Sequence, residues 1–360
     1  MDQHGPGRIP PVGATILGAS RRVSLRPRPH DPHMDRNASP NVPGARIIEA
    51  DAVIFRERFN RASFAFKHLL HRHPLFTLPR LAQLAETMLA AGDTSKFLAL
   101  GGEGAVPGSA FESLPRQARL ARTVEELGSS RNWVKLSSAD GFDAQYRDLL
   151  AAVLAEIAPL SGRDLLKEIT WSSLTIFLAS PRIVTPYHID HESNFLFQVS
   201  GEKDLFLFDC NDRAVLTELE IESYYAGDFR AARHKAELQH RACAYRLVPG
   251  VAAHHPPLSP HWVRNGDTAS VSVSIGFCMR PVDARARVYQ ANHYLRKLGL
   301  KPAPPGVSPL RDRLKGSALG AMSKSHPDNP HEILYSGLNR LKTLITPLSY
   351  VRDALRGSGR

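Results

Sequence analysis

The feature that most restricts the fold of this chain is a block of short β-rich runs between residues 170 and 280. The runs are SSLTIFLAS, NFLFQVS, KDLFLFD, CAYRLVPG and ASVSVSIGF, and Pro, Gly and Asn-Gly separate them. No helical pattern recurs between consecutive runs, which argues against a parallel α/β sheet. ASVSVSIGF alternates small polar and apolar residues, as a strand with one buried face does. The block therefore predicts an antiparallel barrel or sandwich.

Helical patterns flank and interrupt this block. Apolar residues at three- and four-residue spacing predict the helices, and NWVKL at 132–136 predicts a short strand. The predicted helices cover residues 55–76, 78–92, 143–160, 216–241, 282–300 and 331–356. The expected fold class is α+β, with N-terminal helices, a β core that contains one helical insertion, and C-terminal helices.

Composition divides the chain into three parts. Residues 1–45 are rich in Pro, Gly, Arg and His without a hydrophobic period, which predicts a disordered basic segment; Met34 within it offers an alternative translation start. Residues 46–280 are expected to form the globular part and 281–360 a basic helical region, with 14 Lys and Arg against 5 Asp and Glu. Such charge steers some proteins to nucleic acid, ribosomes or anionic membrane. A solvated helix face is the commoner explanation, so a nucleic-acid partner is not favoured.

The sequence also predicts a cytoplasmic protein. Cys210, Cys243 and Cys278 show no paired spacing and no C-x-x-C, so they are expected to be reduced thiols. No stretch approaches the roughly 18 to 20 apolar residues of a membrane-spanning helix, so no membrane association is expected. The N-terminus lacks the apolar run of a secretory signal.

The residues with the clearest chemical meaning lie in TPYHIDHESNFLFQVSGEKDLFLF, at 185–208. His188 and Asp190 are two residues apart, so on a strand both side chains leave the same face. Two histidines and one carboxylate on one face form the site of non-haem iron(II) oxygenases. An isolated H-x-D is weak evidence, because it also occurs by chance in surface loops.

A second histidine must come from elsewhere in the chain, and HHPPLSPHWVRNG offers three. His261 is favoured because it follows a Pro-rich turn and opens a strand. His254 and His255 are interpreted as an exposed pair on a loop. His191 has the opposite strand parity to His188 and is interpreted as a bystander.

Lys203 and Thr185 suit an anionic co-substrate. Lys203 begins an apolar strand after Gly201, where it either marks the strand end or binds a carboxylate in a dry pocket. Thr185 lies three residues before His188 and offers a hydroxyl to the same carboxylate.

These segments, with PHWVRNG, resemble the JmjC-like, cupin-like family of iron(II)- and 2-oxoglutarate-dependent oxygenases, including the asparaginyl hydroxylase that acts on hypoxia-inducible factor. The family pattern is T-P-x-H-x-D, then Asn six residues after the His, then G-x-K with the Lys fifteen after it. The resemblance covers residues 170–280. The residues at those spacings are Thr185, His188, Asp190, Asn194, Gly201 and Lys203.

The resemblance implies a double-stranded β-helix, the cupin or jelly-roll barrel, as a JmjC-type oxygenase domain within 46–280. It implies Fe(II) and 2-oxoglutarate as cofactors, with His188, Asp190 and His261 as the catalytic metal ligands. Lys203 and Thr185 would then hold the far carboxylate of 2-oxoglutarate. Asn194 would lie beside the co-substrate, and Ser274 stands where the hydroxylase has an asparagine in contact with it. The family's upstream tyrosine has no match.

The expected function is therefore a dioxygenase that uses O₂ to hydroxylate a protein or peptide side chain or a small metabolite. One alternative is a cupin enzyme that uses the metal without 2-oxoglutarate. The other is a degenerate barrel in a regulatory protein that acts through its basic C-terminal region. Leu, Ile and Tyr at helical spacing in 332–355 fit either a homodimer interface or packing onto the barrel.

Overall fold

The fold is described from a computed structural model, which covers residues 46–92, 97–101, 132–323 and 334–340. The segment 1–45, predicted to be disordered, lies outside the described residues, as does most of the helix predicted over 331–356. Residues 334–340 of that helix are described and are helical.

The described residues form strands and helices in the following order along the chain. The strands are β1 (Ile48–Glu49), β2 (Phe64–His68), β3 (Phe97–Gly101), β4 (Asn132–Leu136), β5 (Ile169–Ala179), β6 (Val184–His188), β7 (Ser193–Ser200), β8 (Lys203–Leu207), β9 (Cys243–Leu247), β10 (Val251–His255), β11 (His261–Asn265) and β12 (Ser270–Met279). The helices are α1 (Ala52–Arg58), α2 (Leu78–Ala90), α3 (Ala144–Ser161), α4 (Leu165–Glu168), α5 (Glu218–Tyr225), α6 (Arg280–Lys297) and α7 (Pro309–Met322).

The strands build two antiparallel sheets. The larger sheet has the order β1-β2-β10-β7-β12-β5-β4-β3, and the smaller has the order β6-β11-β8-β9. Between β5 and β12 the chain passes back and forth between the sheets, and only β8 and β9 follow one another within the same sheet. The predicted mixture of helices and antiparallel strands is confirmed.

Apolar clusters lie on both sides of the larger sheet. Helices α1 to α3 cover the outer face of the larger sheet, where Phe55 and Tyr146 pack with Phe195 and Ile275 in one core. A second cluster joins the facing sides of the two sheets. It contains Leu196, Leu205, Leu207, Leu247, Ala253 and Val263. We call the space lined by this second cluster the interior.

Strand β12 was expected to bury one face, whereas both of its faces are buried. Val273 and Ile275 pack under the helical layer. The alternate serines face the interior, where Ser272 donates a hydrogen bond to Gln198 Oε1 at 2.7 Å. The serine face is polar without meeting solvent, because its hydroxyls form hydrogen bonds with polar side chains of β7.

The helix predicted over 55–76 is wrong beyond Arg58. Phe64, Phe66 and His68 are buried and alternate with exposed residues, so this stretch has the period of a strand and pairs with β10 as β2. The helix predicted over 216–241 is also too long. Helix α5 covers only Glu218–Tyr225, and Gly227 follows it with a φ of 107°. Helices α2, α3 and α6 and strand β4 confirm the other predictions that fall on described residues.

Among the described helices, none is both long enough and apolar enough to cross a lipid bilayer.

Candidate metal centre

A β-bulge sets the orientation of the side chains on β6. His188 is paired with His261 and Thr185 with Val263, so two residues of β6, Pro186 and Tyr187, stand opposite one residue of β11. Directly opposed residues point to the same side of a sheet, so Thr185 and His188 both face the interior although they are three residues apart. Pro186 is tolerated there because a bulged position makes no ladder hydrogen bond.

His188, Asp190 and His261 converge at the end of the interior. Asp190 Oδ2 lies 3.8 Å from His188 Nε2 and 3.7 Å from His261 Nε2. These separations are longer than hydrogen bonds, and the three ligand atoms lie within 4.8 Å of one another. The loop carrying Asp190 is fixed by a backbone hydrogen bond from Leu258 N to Asp190 O, at 2.8 Å. The arrangement leaves three ligand atoms directed at one point.

Backbone carbonyls orient both imidazoles. His188 Nδ1 lies 2.7 Å from Pro186 O, and His261 Nδ1 lies 3.0 Å from Ser259 O. A carbonyl only accepts hydrogen bonds, so each Nδ1 carries the proton and each Nε2 keeps its lone pair toward Asp190. Such outer hydrogen bonds are the usual support of metal-binding histidines.

The charges around the three residues favour their metal-binding forms. Burial alone would raise the pKa of Asp190, but His188 and His261 outweigh it and hold that pKa below its usual value. Burial, with a smaller effect of His188, lowers the pKa of His261 to about 4. Near neutral pH the site therefore presents an ionised carboxylate and a neutral imidazole, as metal binding requires. Two imidazole nitrogens and one carboxylate oxygen are a donor set that suits iron(II).

A second group of possible ligands, His191, Cys278 and Asp283, lies close by and is fully buried. The imidazole of His191 and the carboxylate of Asp283 already have hydrogen-bond partners. His191 Nε2 is 2.8 Å from Asp283 Oδ1 and His191 Nδ1 is 2.8 Å from the Tyr225 hydroxyl, while Thr170 donates to Asp283 Oδ2 at 2.7 Å. Burial also raises the pKa of the Cys278 thiol, which keeps it protonated. His191 is not one of the three converging residues, and through its contact with Asp283 it ties the Asp190 loop to helix α6.

His191→Leu is expected to lower the free energy of unfolding of the metal-free protein by about 3 kcal/mol, because it leaves the buried Asp283 carboxylate with one hydrogen-bond partner fewer. Chemical denaturation checks this, with the exposed His240→Leu as the control, which should change stability by less than about 0.5 kcal/mol. Equal stabilities of the two variants would contradict the role of His191.

The larger sheet forms the wall of the interior that faces the smaller sheet. This wall is polar beside the triad of His188, Asp190 and His261. Ser274 donates a hydrogen bond to Asn194 Oδ1 at 2.9 Å, so two residues expected near the co-substrate are in direct contact. His255 is paired with Asn194 across β10 and β7, and its ring centroid is 4.8 Å from that of His261. The interpretation of His254 and His255 as an exposed loop pair is wrong, because both are buried in β10.

Lys203 lies on the same interior face, farther from the triad. It is 4% exposed, and burial lowers the pKa of its amine to about 7. Among the described residues, no carboxylate lies within 4.0 Å of its amine. Gly201 sets the turn before Lys203, with a φ of 64°, and a Cβ there would clash with the Ala269 carbonyl. A buried, unpaired ammonium is costly, so this position suits an anionic ligand.

Two residues that face this region were not predicted to belong to the site. One is His255. The other is Lys135 on β4, whose amine lies 5.8 Å from the centre of the Phe177 ring and whose charge acts on Asp190. The alternation in NWVKL could have indicated Lys135, since Val134 and Leu136 are the core residues of that strand. No local pattern marks His255.

Comparisons with known proteins find limited similarity. No family model and no curated protein sequence matches the chain. A solved structure of YcfD, a ribosomal oxygenase from Escherichia coli, in complex with cobalt and 2-oxoglutarate is 15% identical, covers 84% of this chain and 68% of its own, and has a TM-score of 0.44. YcfD with cobalt and succinic acid is 15% identical, with 83% and 68% covered and a TM-score of 0.42.

A third structure is more distant still. The DMSP lyase DddQ from Ruegeria pomeroyi is 15% identical, with 29% of this chain and 38% of its own covered and a TM-score of 0.19. At such identities and TM-scores we draw no conclusion from these similarities about fold or activity.

Proposed function

We propose that this protein is an Fe(II)- and 2-oxoglutarate-dependent oxygenase. The observation that carries the proposal is the pairing of two features in one interior. His188, Asp190 and His261 converge as a two-histidine, one-carboxylate donor set, and the buried Lys203, which has no acidic partner among the described residues, faces the same space. A dicarboxylate with a 2-oxo group requires a metal ion for its 2-oxo acid group and a cation for its other carboxylate.

In this proposal His188, Asp190 and His261 hold the metal. Iron(II), when bound, would supply O₂ chemistry coupled to oxidative decarboxylation of 2-oxoglutarate to succinate and CO₂ and to hydroxylation of a substrate. The chain's own contribution is to fix the three ligands. The carbonyls of Pro186 and Ser259 hold the two imidazoles, and the network around His191 holds the Asp190 loop.

The register of the smaller sheet supports a position for 2-oxoglutarate. Successive inward rows along β11 contain His261 with His188, then Val263 with Thr185, then Asn265 with Lys203. The first and third rows are four residues apart, about 13 Å along the strand. A lysine side chain and a five-carbon dicarboxylate together span that gap.

We therefore assign Lys203 and Thr185 to the far carboxylate, and Asn194 and Ser274 to the wall beside the co-substrate. The apolar cluster that includes Leu205 and Val263 lines the space between the two ends. It excludes water from the Lys203 ammonium, so a carboxylate bound there forms a short, strong, charge-assisted hydrogen bond.

Binding of 2-oxoglutarate is expected to weaken as the pH rises above 7. Free Lys203 has a pKa of about 7, and a bound carboxylate raises that pKa because it favours the charged amine. Above pH 7 binding must therefore take up a proton, and the Kd rises by up to about tenfold per pH unit until the pKa of the complex is reached. Below pH 7 the amine is already charged, and His261 does not titrate until about pH 4.

Calorimetry of the Mn(II)-loaded protein at about pH 6.5, 7.5 and 8.5 measures this dependence. Lys203→Arg is the matched control, because a guanidinium stays charged throughout and should remove the slope. A wild-type Kd that does not change over this range would contradict the assignment of Lys203.

We also propose a domain type, a location and a substrate class for this protein. The strands β5 to β12 divide between two sheets in the alternating manner of a double-stranded β-helix, which supports a cupin-type, JmjC-like core within residues 46–280, followed by a basic region over 281–360. Cys210, Cys243 and Cys278 are unpaired, which supports a reducing, cytoplasmic location. The substrate is proposed to be a protein or peptide side chain or a small metabolite.

Succinate formation tests the proposed function. Purified protein, reconstituted anaerobically with Fe(II) and then given 2-oxoglutarate and O₂, should produce succinate slowly without added substrate. The same protein without Fe(II) is the control. A metal-loaded protein that binds no 2-oxoglutarate and forms no succinate would favour a cupin enzyme that does not use this co-substrate. Failure to bind metal as well would favour a regulatory barrel.

A further inference from the structure

His255 is a buried histidine that no part of the proposed site uses. It is 4% exposed, and neither of its ring nitrogens has a hydrogen-bond partner among the residues that the structure describes. Its neighbour His254 is equally buried but faces the opposite side of β10, where its Nε2 accepts from Asn60 N at 3.0 Å and its Nδ1 donates to Asn194 O at 3.1 Å. Within the described part of the chain, the fold therefore satisfies His254 and leaves the ring nitrogens of His255 without a partner.

The unsatisfied ring lies at the metal end of the interior. Residues of β10 with the parity of His255 face inward, as Ala253 does in the interior cluster. Across the sheet His255 is paired with Asn194, and its ring centroid lies 4.8 Å from that of His261. His255 thus stands between the polar wall and a candidate metal ligand, at the opposite end from Lys203.

A buried imidazole with an unpaired N–H loses hydrogen bonds that it had with water, so such groups in native proteins nearly always have a partner. A neutral imidazole carries one N–H donor. The ligand proposed for this interior would place its 2-oxo group and C1 carboxylate at the metal end. A carboxylate oxygen is a strong acceptor for that donor.

We propose that His255 donates a hydrogen bond to the C1 carboxylate of bound 2-oxoglutarate. This inference rests on the proposed function. It adds a residue that binds the C1 carboxylate, which the co-substrate loses as CO₂ during turnover. Succinate lacks the C1 carboxylate, so His255 favours binding of the co-substrate over its product. Lys203 contacts the carboxylate that both molecules keep, and it cannot make that distinction.

The test compares 2-oxoglutarate with succinate on Mn(II)-loaded protein by calorimetry. His255→Leu should raise the Kd for 2-oxoglutarate about tenfold, equivalent to about 1.4 kcal/mol, and leave the Kd for succinate and for Mn(II) within about twofold of wild type. His255→Gln keeps an N–H donor and should retain most of the affinity. Lys203→Met should weaken both dicarboxylates.

His254→Leu is the matched control, since it removes a buried histidine from the other face of the same strand. It should lower stability and leave the ratio of the two Kd values unchanged. Three results would overturn the assignment. His255→Leu could bind 2-oxoglutarate as wild type does, which would mean that the ring contacts only ordered water. It could weaken both dicarboxylates equally, or it could lose Mn(II), which would mean that it acts through His261.

The two proposals fail in different ways. Wild-type protein that binds Mn(II) but no 2-oxoglutarate would overturn the proposed function and the role of His255 together. If wild-type protein and the His255→Leu variant bind 2-oxoglutarate with the same Kd, only the role of His255 would be overturned.

Discussion

Asp190→Ala is expected to reduce the affinity for Mn(II) or Fe(II) by at least about 100-fold and to abolish succinate formation. Changes to residues that merely support metal ligands already cost about 10- to 100-fold in affinity, and Asp190 supplies the carboxylate itself. It also supplies the negative charge between His188 and His261, without which two imidazoles alone would face a dication. Metal titration by calorimetry and metal content after gel filtration measure the loss.

Asp267→Ala is the control for this change. Asp267 pairs with Arg182 at the surface, and both side chains are largely exposed, so its loss should affect stability little and metal binding not at all. An Asp190→Ala variant that keeps stoichiometric metal at wild-type affinity would contradict the assignment of the triad.

Lys203→Met is expected to raise the Kd for 2-oxoglutarate by about 30-fold or more while metal affinity stays unchanged. Removing one partner of a buried, hydrogen-bonded charge pair costs about 2 kcal/mol or more, and tenfold in affinity corresponds to about 1.4 kcal/mol. The variant should fold at least as stably as wild type in the absence of ligand, because methionine removes a buried ammonium that has no acidic partner in the described ranges. The loss of binding therefore cannot be attributed to unfolding.

Calorimetry of the Mn(II)-loaded variant measures this effect, and Lys167→Met serves as the control. Lys167 has a side chain that is 83% exposed and pairs with Asp164 on the surface. Its replacement should leave 2-oxoglutarate binding unchanged. Similar affinities of the Lys203→Met variant and wild type for 2-oxoglutarate would contradict the assignment of Lys203 to the far carboxylate.

Strand parity grouped His188 with Asp190 and thereby predicted the centre of the site, although β6 ends at His188 and Asp190 lies in the loop after it. The alternation of strands with turns indicated an antiparallel core. The same rule would have separated Thr185 from His188, which are three residues apart. The bulge opposite Trp262 brings them to one face, and its presence depends on pairing with β11, about 75 residues later in the chain.

The errors share a cause, which is that burial is a tertiary property. His255 looked like an exposed loop residue because prolines follow it, yet β2 and β7 flank its strand on both sides. The structural role of His191 was also not predictable, because only the fold brings Asp283 within 2.8 Å of it. The helix predicted through 55–76 failed because Phe64 and Phe66 pair with β10, a contact that local periodicity does not contain.

The most direct test of the central claim is an anaerobic titration of the Fe(II)-loaded protein with 2-oxoglutarate, followed by the charge-transfer absorption that appears when a 2-oxo acid chelates iron(II). We predict saturable absorption at one 2-oxoglutarate per iron, absent in Asp190→Ala and shifted to higher concentrations in Lys203→Met. Fe(II)-loaded protein that shows neither the absorption nor any binding of 2-oxoglutarate would contradict the account.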